Sequence, residues 1–245
     1  MKSLIQMTIA EFKLFLREPA SVFFTLAFPL VLLFIFGAIF GNEPSEMFGG
    51  LGSVDVSVPA YVGLMIGTLG LISLPVGLAS YRESGVLRRF RATPAQPWVI
   101  FGAMLIVNLL AALLGTGLLL IAGKLVFNLR MPEAPIQLFF GILLGIVSFS
   151  AVSFVLAGLV PTTRSAQAVG MALLMPMIFL SGAAMPRETL PDNIRRIGEF
   201  LPLTQVVILL EDLWFTRSWN MIALLALLAM MVIGVVLATR LFRWE

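Results

Sequence analysis

The chain holds 245 residues, 60% of them hydrophobic and only 12% charged, with a mean hydropathy of +1.04. Ordinary soluble domains run about 45–50% apolar and about 25% charged, so this composition excludes a soluble fold and predicts a polytopic membrane protein. The lack of Cys and His removes disulfides, thiolate nucleophiles and imidazole bases. The net charge of +3 and a pI near 9.8 then report how basic residues are distributed across a membrane, not a nucleic-acid partner.

Residues 2–18 are too polar to span. Ile5, Ile9, Phe12 and Leu16 share one helical face, while Lys13 and Arg17, like Glu11 and Glu18, fall elsewhere, which predicts an interfacial helix along the membrane surface. The competing reading, the n-region of a cleaved signal peptide, is disfavoured because the charged stretch is long and a full span follows. Span one is predicted at 22–40, with Pro19 ahead of it and Pro29 bending it. The loop 41–57 holds Glu43, Glu46 and Asp55 and no basic residue. Span two is predicted at 58–80, kinked by Pro75, and the basic loop 81–97 follows. Spans three and four are expected at 98–123 and 136–160. The turn Pro161-Thr162-Thr163-Arg164 leads to span five at 165–181, which Pro176 interrupts. In 182–219, Pro186, Pro191 and Pro202 cut the chain into pieces too short to cross: an amphipathic 189–201 and an apolar 206–215. Span six, 221–242, lies between Trp219 and Trp244, where indole rings prefer the interface.

With both termini on the cytoplasmic side, ten of the sixteen basic residues and four of the thirteen acidic ones fall inside, the bias expected of cytoplasmic loops. The fold class is therefore an all-α polytopic membrane protein. It has six transmembrane helices, an N-terminal interfacial helix, a cytosolic helix after span two and short re-entrant helices before span six.

No Asp, Glu, Lys, Arg or His occupies the middle of any predicted span. That weakens an ion-coupled carrier, which binds its ion at depth, and a channel built on rings of charge. The polar groups at depth are mild: Thr68, Ser73, Asn108, Thr116, Ser148, Ser150, Ser153 and Gln167, suited to hydrogen bonds between helices. Gly37/Gly41, Gly63/Gly67 and Gly141/Gly145 permit close helix approach, first for internal packing and second for dimerisation. Gly117 to Gly123-Lys124 imitates a phosphate loop, but it has one residue too many and Leu125 stands where Ser or Thr is required. Neither a catalytic dyad nor a metal cluster is expected, so ATP hydrolysis is not expected of this chain.

Within 82–92, Val86, Leu87 and Phe90 fall on one side of a helix and Arg82, Arg88, Arg89 and Arg91 on much of the other, until Thr93-Pro94 stops it. Composition leaves two uses open. The apolar side can rest in a groove of a partner protein while the arginines pair with carboxylates, or the arginines can anchor the loop at anionic lipid.

Here the sequence resembles a known family. The stretch Arg82-Glu83-Ser84-Gly85-Val86-Leu87-Arg88-Arg89-Phe90-Arg91-Ala92-Thr93-Pro94 is similar to the R-E-x-G-T-L-E-R-L-x-x-T-P signature of type-2 ABC exporter permeases. Leu180-Ser181-Gly182-Ala183-Ala184-Met185-Pro186, Leu190-Pro191 and Leu201-Pro202-Leu203-Thr204 resemble the family's segment between spans five and six. Val86 and Arg88 depart from the usual Thr and Glu, which implies a different charge match and a dedicated partner.

The resemblance covers essentially the whole of 1–245 and implies one transmembrane domain acting as half of a transporter. Two permease chains, alike or different, pair around a pathway, and two separate nucleotide-binding subunits carry ATP and Mg, so this chain itself needs no cofactor. Arg82, Glu83, Gly85, Leu87, Arg88, Arg89 and Phe90 fall in the helix that couples to the ATPase. Thr68, Ser73, Met171, Met175 and Phe179 fall on the spans that line the pathway. The implied cargo is a hydrophobic drug-like or lipid-linked molecule leaving through the cytoplasmic membrane. A polysaccharide or glycolipid cargo, and a non-transporting scaffold that docks an ATPase, remain the alternatives.

Overall fold

A computed structural model describes residues 2–87, 98–184 and 190–241, and all regular secondary structure among the described residues is helical. The helices are α1 (Lys2–Leu16), α2 (Pro19–Val22), α3 (Phe28–Phe40), α4 (Ser53–Thr68), α5 (Leu74–Glu83), α6 (Trp98–Phe127), α7 (Pro135–Leu159), α8 (Thr163–Leu180), α9 (Asp192–Glu199), α10 (Pro202–Phe215) and α11 (Met221–Leu241). Two π-helical turns, Phe23–Ala27 and Leu69–Ser73, join α2 to α3 and α4 to α5 without a break. Among the described residues, six stretches are long and apolar enough to cross a bilayer: Phe23–Phe40, Ser53–Glu83, Trp98–Phe127, Pro135–Leu159, Thr163–Leu180 and Met221–Arg240.

Span two is the most buried of the spans, with 78% of its most apolar stretch buried, and spans one, three, four and five pack against it. Its helix starts at Ser53, five residues before the sequence predicts. The reason is Asp55: its carboxylate turns back to accept from Gly52 N (3.4 Å), capping the helix as a loop aspartate would not. At Pro29 and Pro75, where the sequence predicts bends, the helix passes through a π turn placed so that proline is the second residue of the next α-helix, whereas the interruption expected at Pro176 is absent and α8 runs unbroken through it. In the wider register Leu74 N–H bonds Leu69 O, so the next donor would be Pro75, which has none. The carbonyl this releases, Gly70 O, takes the Ser153 hydroxyl of α7 instead, and Ser153 also lies 2.8 Å from its own Phe149 O. A Cβ on Gly70 would stand 2.5 Å from Phe149 Cβ, so the two helices meet at backbone distance where that bond forms.

Most of the paired glycines pack internally. A Cβ at Gly63 would meet Val207, at Gly67 Leu174 and Leu203, at Gly141 Leu213, and at Gly145 Ile66. Gly41 behaves otherwise: at φ +69° it stops α3, while Gly37 receives the Phe127 ring. α10 is 14 residues, about 21 Å at helical rise and too short to cross. It is sunk in protein, with Leu203, Val206, Val207, Leu209, Leu210, Leu213 and Trp214 all buried. Span six packs along span four, where Ser148 Oγ donates to Leu227 O (3.0 Å) and Gly234 abuts Ala151.

Candidate functional site

Arg82 and Glu83 end span two and grip the turn between spans four and five from its two sides. The Arg82 guanidinium donates from Nη1 to Val160 O (3.0 Å) and from Nη2 to Ala157 O (2.6 Å), carbonyls at the C-terminus of α7. Such carbonyls lack helical donors and sit at the negative end of the helix dipole, so a cation suits them. Glu83 does the converse at the start of α8. It accepts from Thr163 N at Oε1 (3.1 Å) and from Thr163 Oγ1 at Oε2 (2.5 Å), placing an anion at a positive helix end. Thr162 completes that end: its hydroxyl accepts from Ser165 N (3.1 Å) in a capping box. Two adjacent residues of opposite charge thus lock two opposed helix termini.

Beyond them the chain turns. Gly85 has φ +69°, a conformation in which glycine carries no Cβ penalty, and it ends α5. Leu87, expected on the face offered to a partner, is buried among Leu74, Leu78, Ile100, Met104 and Ala157 of this same chain. Its role here is to anchor the loop. Arg88, Arg89 and Phe90 lie outside the described residues.

The residues assigned to the pathway separate into two groups. Thr68 is buried, and its hydroxyl bonds Leu64 O (2.9 Å) of its own helix. Ser73 lies on a cavity wall 3.4 Å from Ser21 Oγ. Met171, Met175 and Phe179 recur every four residues along α8 and form an outward stripe, with Phe179 57% exposed. Spans two and five nevertheless touch at backbone distance: a Cβ at Gly170 would stand 2.2 Å from Leu71 O.

Sequence reasoning missed two polar contacts because their partners are distant in the chain. Glu11 of α1 is only 7% exposed and accepts from Tyr81 OH (2.5 Å), tying α1 to span two. Burial pushes its carboxyl above the ordinary value of 4.5, and the tyrosine hydrogen bond opposes this in part. α1 otherwise keeps Ile5, Ile9 and Leu16 outward, the face predicted for the bilayer. At the opposite end of the bundle, Asp55 accepts from Asn42 Nδ2 (3.1 Å) and Arg130 N (2.9 Å), with Arg130 Nε 3.6 Å away. Trp214 Nε1 closes this cap on Arg130 O (3.0 Å). No group of His, Cys, Asp or Glu able to hold a metal occurs among the described residues.

Two comparisons give this geometry a context. Residues 2–215 match the family described as "ABC-2 type transporter". Among curated relatives bearing the name "Putative transport permease", ycf38 of Cyanophora paradoxa is 26% identical over 209 residues, covering 83% of this chain and 71% of the relative. YvfS of Bacillus subtilis (strain 168) is 25% identical over 205 residues, covering 82% and 81%. Six membrane-length helices, the second of them deeply buried, together with a family match over nearly nine-tenths of the sequence, lead to one conclusion: the chain belongs to the ABC-2 type transporter family as a multi-pass permease subunit.

Proposed function

We propose that this chain forms the translocation pathway of an ATP-driven exporter that moves a hydrophobic drug-like or lipid-linked molecule outward. Two permease chains, alike or different, enclose the pathway, and two separate nucleotide-binding subunits hydrolyse ATP with Mg. The chain sits in the cytoplasmic membrane with both termini in the cytoplasm.

Span five carries the reading. It is the least apolar of the six and span six the most, yet only 22% of each is buried. Span six is suited to acyl chains. A helix as exposed as span five but less apolar calls for water or protein against it, which a pathway between two permeases supplies. Its exposed side carries Gln167 beside the Met171, Met175 and Phe179 stripe, and methionine adapts to apolar cargo of varied shape. Thr68 and Ser73 of span two do not reach this face: Thr68 is buried, and Ser73 lines the cavity between α1 and spans two and three. The clasp of Arg82 and Glu83 gives the ATPase a lever. A push on Gly85, Leu87, Arg88, Arg89 and Phe90 reaches the start of span five through a charged contact rather than a flexible loop.

The test is reconstitution with the ATPase partner in liposomes. The expected result is ATP hydrolysis stimulated by a hydrophobic fluorescent dye and ATP-dependent movement of that dye across the bilayer. Stable docking of the ATPase without flux of any cargo overturns the exporter reading in favour of a scaffold. Arg88→Glu with Arg89→Glu should release the ATPase while leaving the permease in the membrane.

A further inference from the structure

A cavity of about 330 Å³ opens between α1, the end of span two and the first half of span three, with Thr163 of span five on its rim. Its apolar wall is Leu14, Phe15, Leu74, Val76, Met104 and Val107; Arg17 and Glu18 also line it. Asn108 lies in the same lining, ten residues into α6 from Trp98 and so about 15 Å in from that end of the helix. Asn108 is 6% exposed, and its Nδ2 is buried with no hydrogen-bond partner. Buried amide donors are almost always paired, because leaving one dry costs about 1–3 kcal/mol. A chamber whose apolar wall is bordered by Glu11, Arg17, Glu18, Ser73, Ser80 and Tyr81, with one unmet donor at depth, describes an amphiphile as well as a site.

We infer that this cavity binds an acyl amphiphile whose ester or amide carbonyl accepts from the Asn108 amide, turned from its buried position toward the cavity, while its chain lies against Phe15, Leu74 and Val107. The size fits a drug-sized molecule or a single acyl chain, since such pockets start near 300 Å³. A glycan-bearing lipid does not fit inside. The chemistry is shared by a bilayer phospholipid and by an acylated cargo. Neither source depends on the exporter reading, because the site rests on the cavity and Asn108 alone.

The full-length permease is labelled with a medium-chain alkyl amide carrying a diazirine on its chain, and cross-linked peptides are mapped by mass spectrometry. Label is expected on α1 and on the Met104–Asn108 stretch of α6. Asn108→Leu removes the donor at similar volume and should lower sub-saturating labelling about tenfold, the factor one buried hydrogen bond confers. Gly77→Leu is the second variant. A Cβ there meets only Met104 Cε, at 3.5 Å, so the larger side chain fills the cavity without displacing backbone. It should abolish the label while the protein remains folded. Labelling that persists in phosphatidylcholine nanodiscs identifies a cargo-like ligand. Labelling seen in detergent but suppressed in nanodiscs, with one phospholipid retained by the wild type and lost from Gly77→Leu, identifies a lipid. Equal labelling of all three proteins, or label confined to the outward face of α11, overturns the site. Labelling without ATP-driven flux retains it and removes the exporter reading; flux without labelling does the reverse.

Discussion

Replacing Arg82 by alanine tests the clasp between span two and the turn of spans four and five. The side chain makes two charge-assisted hydrogen bonds, 2.6 Å to Ala157 O and 3.0 Å to Val160 O. Hydrogen bonds to charged groups contribute about 1.5–3 kcal/mol each, and partial exposure of the guanidinium argues for the lower end. A cation at a helix C-terminus adds about 0.3–1 kcal/mol. The expected loss is about 3 kcal/mol, which multiplies local opening of this turn by about 100-fold. Hydrogen exchange followed by mass spectrometry in nanodiscs reads it directly as lost amide protection across 157–166, with α11 unchanged as an internal control. Arg82→Lys should recover about half, because one ammonium cannot reproduce the planar fork that spans both carbonyls. If Arg82→Ala leaves exchange across 157–166 within about threefold of wild type, the clasp contributes nothing and the lever drawn from it fails.

Other substitutions test the packing around it. Gly170→Ala places a Cβ 2.2 Å from Leu71 O, a backbone atom with no room to move, so spans two and five must separate. The expected cost is about 1–3 kcal/mol or more, seen as a lower thermal midpoint in detergent, whereas Gly117→Ala, with nothing within 4 Å, should be neutral or stabilising. Equal midpoints for the two variants would contradict the close approach. Glu11 gives a pH dependence of known sign. Its folded pKa is raised by burial, so the stability it contributes is full below about pH 4.5 and is lost as pH rises through the folded value. Protection of α1 amides, corrected for intrinsic exchange, should therefore fall with rising pH, and Glu11→Gln, which still accepts from Tyr81, should flatten the profile. A slope unchanged in that variant assigns it to another group. Asp55→Asn turns an amide donor toward Arg130 N or Gly52 N and should cost about 2 kcal/mol, with faster exchange at the start of α4. Unaltered exchange there would show that the cap does not depend on the carboxylate.

The class of this protein and its six spans were legible in the sequence because a membrane helix is recognised locally. Some twenty apolar residues match a fixed hydrocarbon thickness, and the π turns at Pro29 and Pro75 follow from a missing N–H on the residue itself, although the same rule wrongly predicted an interruption at Pro176. The candidate site was legible only as a region. The signature around Arg82 and Glu83 located it, but their partners, Ala157, Val160 and Thr163, lie 75 to 80 residues away. The inward turn of Leu87 could not be told from outward docking, because helical spacing gives the same face for both.

The deeper limit is physical. In a soluble protein the apolar face of a helix is the buried one; in a bilayer, core and surface are both apolar and the pattern loses that information. On α11, Leu225 is 63% exposed and Leu227 is 1% exposed, though the residues are identical and two apart. The sequence by itself determined that the chain is a six-span membrane protein with a charged element after span two. Only the tertiary structure decided which face of each helix is inside, which buried donor at Asn108 is left without an acceptor, and what Arg82 and Glu83 hold. Those are contacts between distant segments, and nothing in local apolarity or periodicity encodes them.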